Sequence, residues 1–281
     1  MMQNLINNSR FRIGLLLGVS YALLYGLLTD AHDWGGNFSE YIIQAKNIVE
    51  QDISGFIADD TFPIKYPWGF PMLLAPVYKA FGLDILRLKM VGVICYVLFL
   101  LVIYYGFAQY HSRARILGVT AVFALNPYML TFLNQILSDI PFLFFSTLCV
   151  LLVGRAVVQR RPIISFPIDY VLIGIVLGIA FLIRNNGALL IILVALTQLI
   201  STASGFLSRP DFSFTKHLSR MRDGPKTARK SLLIRLIPYA TFFLLIRFTG
   251  PLAPATPLWW YTTSWCTGWG FPKRNYSKYC L

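Results

Sequence analysis

The chain has 281 residues, of which 56% are apolar, 15% aromatic and 13% charged, with a mean hydropathy of +0.61. A soluble domain carries about a quarter charged residues, so this share argues against an ordinary globular fold, and the apolar share excludes disorder. The net charge of +13, from 25 Lys and Arg against 12 Asp and Glu, accompanies apolar runs too long for a soluble nucleic-acid binder. It fits helices in lipid with cationic loops on one side, and no nucleic-acid partner is expected.

Residues 1–12 form a short basic N-terminus carrying Arg10 and Arg12. An apolar run from Ile13 to Thr29 ends at Asp30 without a small-residue cleavage pattern, so it reads as an uncleaved anchor. Further runs are Val91 to Ala108, Ile116 to about Leu133, Ile140 to Val153, Tyr170 to Ile183, Ala188 to Ile200 and Leu232 to Ile246. Together they predict an all-α polytopic membrane helix bundle of about seven spans over residues 13–250. A tail rich in Trp and Tyr follows over residues 251–281 and shows no helical periodicity. Cys95 and Cys149 fall inside apolar runs and read as packed thiols; Cys266 and Cys280 would pair only in an oxidising compartment.

Charge orients the spans. Arg10/Arg12, Arg113/Arg115, Arg155/Arg160/Arg161 and the eight basic residues from Arg209 to Arg235 fall in alternate connections and hold 15 of the 25 cations. The positive-inside rule makes these connections cytoplasmic, with the N-terminus. Eight of the twelve acids lie instead in the first outer loop, residues 30–89: Asp30, Asp33, Glu40, Glu50, Asp52, Asp59, Asp60 and Asp84. Within that loop, Tyr41, Ile42, Ala45, Ile48 and Val49 make one apolar helical stripe, which predicts an amphipathic juxtamembrane helix. Phe70 to Phe81, after a Pro-Trp-Gly turn, predicts a second.

Four stretches carry candidate chemistry. Asp30 to Tyr41 sets acids, His32 and the Gly35-Gly36 pair just outside the first span. There a carboxylate reads either as a general base or metal-binding acid, or as part of a solvated acidic loop. Asp59 to Pro71 is a stiff turn that either holds Lys65 and Tyr66 near a phosphate or starts a helix with interfacial aromatics. In Asn134 to Pro141, Ser138 or Asp139 would cap the next helix, with Pro141 in its first turn. Arg184-Asn185-Asn186-Gly187, between two spans, reads as a snorkelling arginine or as a cation meeting an anionic lipid headgroup.

In order, the motifs are the Asp-rich opening with Tyr41, Tyr66-Pro67-Trp68-Gly69-Phe70-Pro71, Asn126-Pro127, Ser138-Asp139-Ile140-Pro141 and Arg184-x-x-Gly187. Over about residues 10 to 200 this pattern resembles the GT-C superfamily of polyprenyl-phosphate-sugar-dependent glycosyltransferases. The likeness is to bacterial members near the protein mannosyltransferase and aminoarabinose transferase branch. The resemblance implies a multi-pass protein of the bacterial inner membrane with a catalytic acid in the first outer loop and an extracytoplasmic active face. Such a protein moves a sugar from a polyprenyl-phosphate carrier to a lipid, glycan or protein acceptor. It also implies Asp33, Asn37 and Glu40 as catalytic positions and Tyr41, Lys65, Tyr66, Asp139 and Arg184 as substrate-binding ones. The cofactor stays open, with a divalent cation among the candidates.

Two departures qualify this reading. Family members commonly place the catalytic Asp four residues before the Tyr, and here that position is Asn37, whose amide cannot act as a base. Asp33 across the Gly-Gly pair is the nearest substitute and Glu40 the next. Family enzymes are also usually longer, so a truncated or impaired relative that binds the carrier or scaffolds a partner is the competing expectation. A transporter is disfavoured because mid-span charges are nearly absent.

Overall fold

The computed structural model describes residues 28–32, 37–50, 67–108, 111–161, 163–207 and 225–249, together with Gly14, Gly18 and Gly26. Regular structure among the described residues is entirely helical. Helices α1 (Asn37–Glu50), α2 (Gly69–Phe81), α3 (Ile85–Phe107), α4 (Arg113–Ala124) and α5 (Pro127–Leu133) come first. They are followed by α6 (Asp139–Val153), which runs on as a π-helical turn over Gly154–Val158. Helix α7 (Phe166–Ile183), a 3-10 turn over Asn185–Gly187, α8 (Ala188–Leu207) and α9 (Pro225–Thr249) complete the order.

Three helical segments are long and apolar enough to cross a membrane: Ile85–Phe107, Asp139–Val158 and Asn185–Thr202. A fourth appears if α4 and α5, bent by 51° at their junction, count as one. Pro167–Ile183 is apolar but shorter. The all-α membrane bundle is therefore observed, and three to four of the expected seven spans are found among the described residues. Of the run from Ile13 to Thr29, only Gly14, Gly18, Gly26, Leu28 and Thr29 are among the described residues.

The expected unbroken run from Ile116 to Leu133 is two helices for a local reason. Pro127 has no N–H to continue α4, and its ring blocks the preceding turn. Asn126 instead caps a new helix, its Oδ1 accepting the backbone N–H of Tyr128 at 2.9 Å and of Met129 at 3.4 Å. Helix α3 likewise starts at Ile85, not Val91, because the Asp84 carboxylate accepts the Arg87 backbone N–H at 3.0 Å. This brings Lys89 into the span instead of the loop.

Three buried clusters hold the bundle. Tyr96, Phe99, Leu100 and Ile116 join α3 to α4 and α6. Cys149, Ile173, Leu177, Val194 and Phe242 join α6 to α7, α8 and α9, and Cys95 and Cys149 are buried free thiols as expected. Tyr41, Phe70, Leu74, Leu88 and Ile183 join α1 and α2 to the ends of α3 and α7. Helices α7 and α9 approach closely at Gly174, where a Cβ would fall 2.5 Å from the Pro238 carbonyl oxygen. Gly178, one turn on, completes the small-xxx-small stripe that lets membrane helices pack backbone to backbone.

Helices α6 and α8 both depart from one end of the bundle, and α7 arrives there. Asp139, Arg184 and Asn185–Gly187 consequently gather at that end. Residues 154–158, Tyr170 and Ser201 lie toward the other, about 20–28 Å away by the helical rise.

Candidate functional site

The site is built around the connection from Asn134 to Asp139, which leads from α5 into α6. Ser138 occupies the N-cap position of α6 but makes no side-chain bond to the helix. The capping role expected of it is replaced by a tertiary contact: its hydroxyl shares a 3.1 Å hydrogen bond with that of Tyr41 on α1. Both residues are buried, at 2% and 4% exposure. Burial raises the Tyr41 phenol above its ordinary 10.0; the Ser138 hydrogen bond and the Arg184 charge oppose that rise, while Asp139 and Glu40 add to it. The phenol is therefore a neutral hydrogen-bonding group between an arginine and two carboxylates.

Asp139 opens α6 and its Oδ1 accepts a charge-assisted hydrogen bond from Arg184 Nη1. Arg184 follows the last residue of α7 in extended backbone, φ −148° and ψ 137°, so its side chain leaves the helix axis toward α6. The acid at a helix N-terminus and the cation at a helix C-terminus each suit the local dipole. Their side chains remain 41% and 34% exposed, so the pair contributes little to stability and keeps donors available to a ligand.

Two features fix Arg184 relative to α1 and α2. The Phe70 ring meets Tyr41 edge-on at 5.1 Å. Gly69 lies so close to α7 that a Cβ would sit 2.5 Å from the Leu182 carbonyl carbon. The Pro67-Trp68-Gly69-Phe70 turn is accordingly buried against the chain two residues before Arg184. This is the segment that the sequence marks as a stiff turn.

On the other side of the Asn134–Asp139 connection, Lys89 is 1% exposed and donates to three acceptors. These are the Thr29 carbonyl at 2.6 Å, the Ala31 carbonyl at 2.7 Å and Asn134 Oδ1 at 3.0 Å. The Thr29 N–H also reaches Asn134 Oδ1, at 3.1 Å. The chain at Thr29 and Ala31 is thereby tied to the same connection that carries Ser138 and Asp139. His32 meets Phe38 of α1 edge-on at 6.2 Å. A cleft of about 610 Å³ opens here, lined by Thr29, His32, Thr131, Asn134 and Gln135 among others.

Tyr41, Asp139 and Arg184, widely separated in sequence, are thus brought together, with Glu40 half-buried beside Tyr41. Asn37 heads α1, and only its backbone is described. Asp33, Lys65 and Tyr66 lie outside the described residues. From the sequence, Ser138 or Asp139 reads as a cap, and Lys89 carries no assigned role. The available signal was a lysine set among apolar residues at the start of a span. No trio of His, Cys, Asp or Glu suited to a metal ion occurs among the described residues.

A second, apolar groove of about 700 Å³ runs between α3, α4, α6 and α8. Its lining extends from Asn186, two residues after Arg184, to Phe107 at the far end of α3, with Phe99, Phe123, Phe142 and Leu190 between.

No curated protein and no solved structure is similar enough to the chain to match it. Residues 65–212, just over half of the chain, match the family described as dolichyl-phosphate-mannose-protein mannosyltransferase. The match begins at Lys65 and takes in the stiff turn, Lys89, Ser138, Asp139 and Arg184. With an apolar all-helical bundle and a polar site at one end of it, the chain belongs to this family and is an integral membrane glycosyltransferase of the GT-C type that uses a lipid-linked sugar donor.

Proposed function

We propose that this protein transfers a sugar from a polyprenyl-phosphate carrier to a lipid, glycan or protein acceptor. The reaction takes place on the extracytoplasmic face of a bacterial inner membrane, with the N-terminus and basic connections cytoplasmic. The observation that carries this reading is the partly exposed Arg184–Asp139 pair, two residues along the chain from Asn186, which lines the apolar groove. A polyprenyl phosphate needs an apolar channel for its tail and a cation at the channel's end for its headgroup. Arginine supplies planar paired donors to phosphate.

In this reading an acceptor hydroxyl or amine attacks the anomeric carbon. The bond from that carbon to the phosphate oxygen breaks, and polyprenyl phosphate leaves with the electron pair. Asp33 takes the acceptor proton, with Glu40 as the next carboxylate in reach along the chain. Arg184 stabilises the charge developing on the departing phosphate, and Asp139 holds Arg184 in place. Lys65 and Tyr66 join the phosphate side. Should a divalent cation serve the same phosphate, the acids of the first loop are its ligands.

The test is sugar transfer by the reconstituted protein from a polyprenyl-phosphate sugar, comparing the parent with Asp33→Asn and Arg184→Ala. Loss in both is expected; equal transfer by Asp33→Asn removes Asp33 from the mechanism. A second reading, a carrier-binding relative with impaired chemistry, is favoured by Asn37 standing one turn before Tyr41 on α1. A parent that binds carrier without turnover, and gains transfer on Asn37→Asp, would establish it.

A further inference from the structure

At the end of the bundle opposite Arg184, a cavity of about 370 Å³ lies among the π-helical turn of α6, the start of α7 and the facing parts of α8 and α9. Its polar lining is Arg160, Tyr170, Gln198, Ser201 and Arg235. Arg160 Nη2 donates to the Ser201 carbonyl at 3.4 Å, and Arg235 Nη1 donates to Thr202 Oγ1. Gln198 is fixed at both ends, its Nε2 donating to the Arg235 carbonyl at 3.3 Å and its Oε1 accepting from Tyr239 at 3.2 Å. Neither guanidinium pairs with a carboxylate among the described residues. The neighbouring Asp169 is already engaged, accepting the backbone N–H of Ile163 at 2.6 Å and of Ile164 at 3.2 Å. Two like charges thus share one cavity while each keeps most of its five donors. Arg160 also holds a φ of 53°, in the left-handed region where a side chain is strained. The fold keeps an arginine where glycine would fit with less strain.

We propose that this cavity binds a phosphate-bearing group, distinct from the donor phosphate at Arg184, with Arg160 and Arg235 as its two charge-bearing donors. An oxyanion between them relieves their mutual repulsion and accepts paired N–H bonds, and Tyr170 and Gln198 line the same cavity. The position at a helix end suits an anionic phospholipid headgroup, and the same chemistry serves a soluble phosphate.

The experiment is native mass spectrometry of the full chain in detergent, with phosphatidylglycerol, diacylglycerol and inorganic phosphate as separate probes. Retention of phosphatidylglycerol over diacylglycerol is expected for the parent, weakened about tenfold or more in Arg160→Gly and in Arg235→Gln. Arg160→Gly removes the cation at a position whose backbone favours glycine, so it keeps the fold; Arg235→Lys retains charge and should retain part of the binding. Displacement of the lipid by millimolar phosphate marks a soluble-phosphate site, and no displacement marks a headgroup site; either supports the proposal. Equal retention of both lipids, no binding of either phosphatidylglycerol or inorganic phosphate, or unchanged binding in a folded Arg160→Gly, Arg235→Gln double variant overturns it.

Discussion

The hydroxyls of Tyr41 and Ser138 lie 3.1 Å apart across 97 residues of chain, inside a buried cluster that also holds Phe70 and Ile183. This bond ties the amphipathic helix of the first loop to the start of α6, one residue before Asp139. Removing either partner breaks a buried hydrogen bond, at a cost of about 0.5–1.5 kcal/mol. Ser138→Ala and Tyr41→Phe should each lower the denaturation midpoint in detergent. The double variant should fall short of the sum of the two. Full additivity would show that the bond does not form.

The same burial makes a prediction about alkali. Because the folded-state value of Tyr41 lies above 10.0, the folded protein binds the phenolic proton more tightly than the unfolded chain. Its contribution is complete below about pH 10 and is lost as the pH rises through the folded value. The stability of the parent relative to Tyr41→Phe should therefore be flat from pH 7 to about 9.5 and decline above pH 10. Melting curves that fall in parallel through that range would contradict the assignment.

Arg184 and Asp139 should separate activity from stability. Their side chains are too exposed for the pair to hold the fold, so Asp139→Asn should shift melting by less than about 1 kcal/mol equivalent. If the pair positions a phosphate, the same substitution should lower kcat/KM for the lipid-linked donor about tenfold. Arg184→Ala should lower it by about a hundredfold, with Arg184→Lys between them. A large loss of melting temperature with normal kcat/KM in the surviving protein would make the pair structural.

Gly69 tests the close approach of the stiff turn to α7. A methyl group there would lie 2.5 Å from one backbone atom of Leu182 and 2.6 Å from another, and backbone cannot rotate away as a side chain can. Gly69→Ala should cost about 1–3 kcal/mol and displace the chain entering Arg184, so transfer should fall with stability. Gly82 is the useful control: nothing lies within 4 Å of a Cβ there, but its φ of 67° is left-handed, so Gly82→Ala carries conformational strain alone. A Gly69→Ala protein no less stable than the parent would mean that the two segments do not touch.

The parts of the molecule legible from sequence are those fixed by composition and short-range chemistry. Apolar runs marked α3, α6, α7 and α8, the stripe of Tyr41, Ile42 and Ala45 marked α1, and the Pro-Trp-Gly turn marked the start of α2. Helix ends were less legible, because the Asp84 cap of α3 and the Asn126-Pro127 break each depend on one side chain reaching two or three residues along. Ser138 shows a related limit: Ser138 or Asp139 before Ile140-Pro141 has a complete local explanation as a cap, whereas the Ser138 hydroxyl bonds a residue on another helix. The meeting of Tyr41, Asp139 and Arg184 could be suspected only through the family resemblance, since no periodicity links positions so far apart.

Lys89 gives the clearest separation of positioning from folding. Its ammonium is buried and spends its three N–H donors on Thr29, Ala31 and Asn134. Thr29 and Ala31 are exposed residues, so their carbonyls can take water when the lysine is removed. Lys89→Met has similar length and no charge to bury, so global stability should change by only about 1 kcal/mol. The Thr29–His32 segment, however, loses the anchor holding it to the Asn134–Asp139 connection, and Asp33 is the next residue along the chain. If Asp33 is the base, even a small displacement costs rate, and kcat should fall by about a hundredfold while the KM for the lipid-linked donor stays within about threefold. Lys89→Arg should restore little, since its planar fork does not reproduce three donors on one nitrogen. Hydrogen exchange should report the loosening directly, as faster exchange at Thr29 and Ala31 with α3 unchanged. Unaltered exchange there, together with unaltered kcat, would show that Lys89 serves only to fill the core.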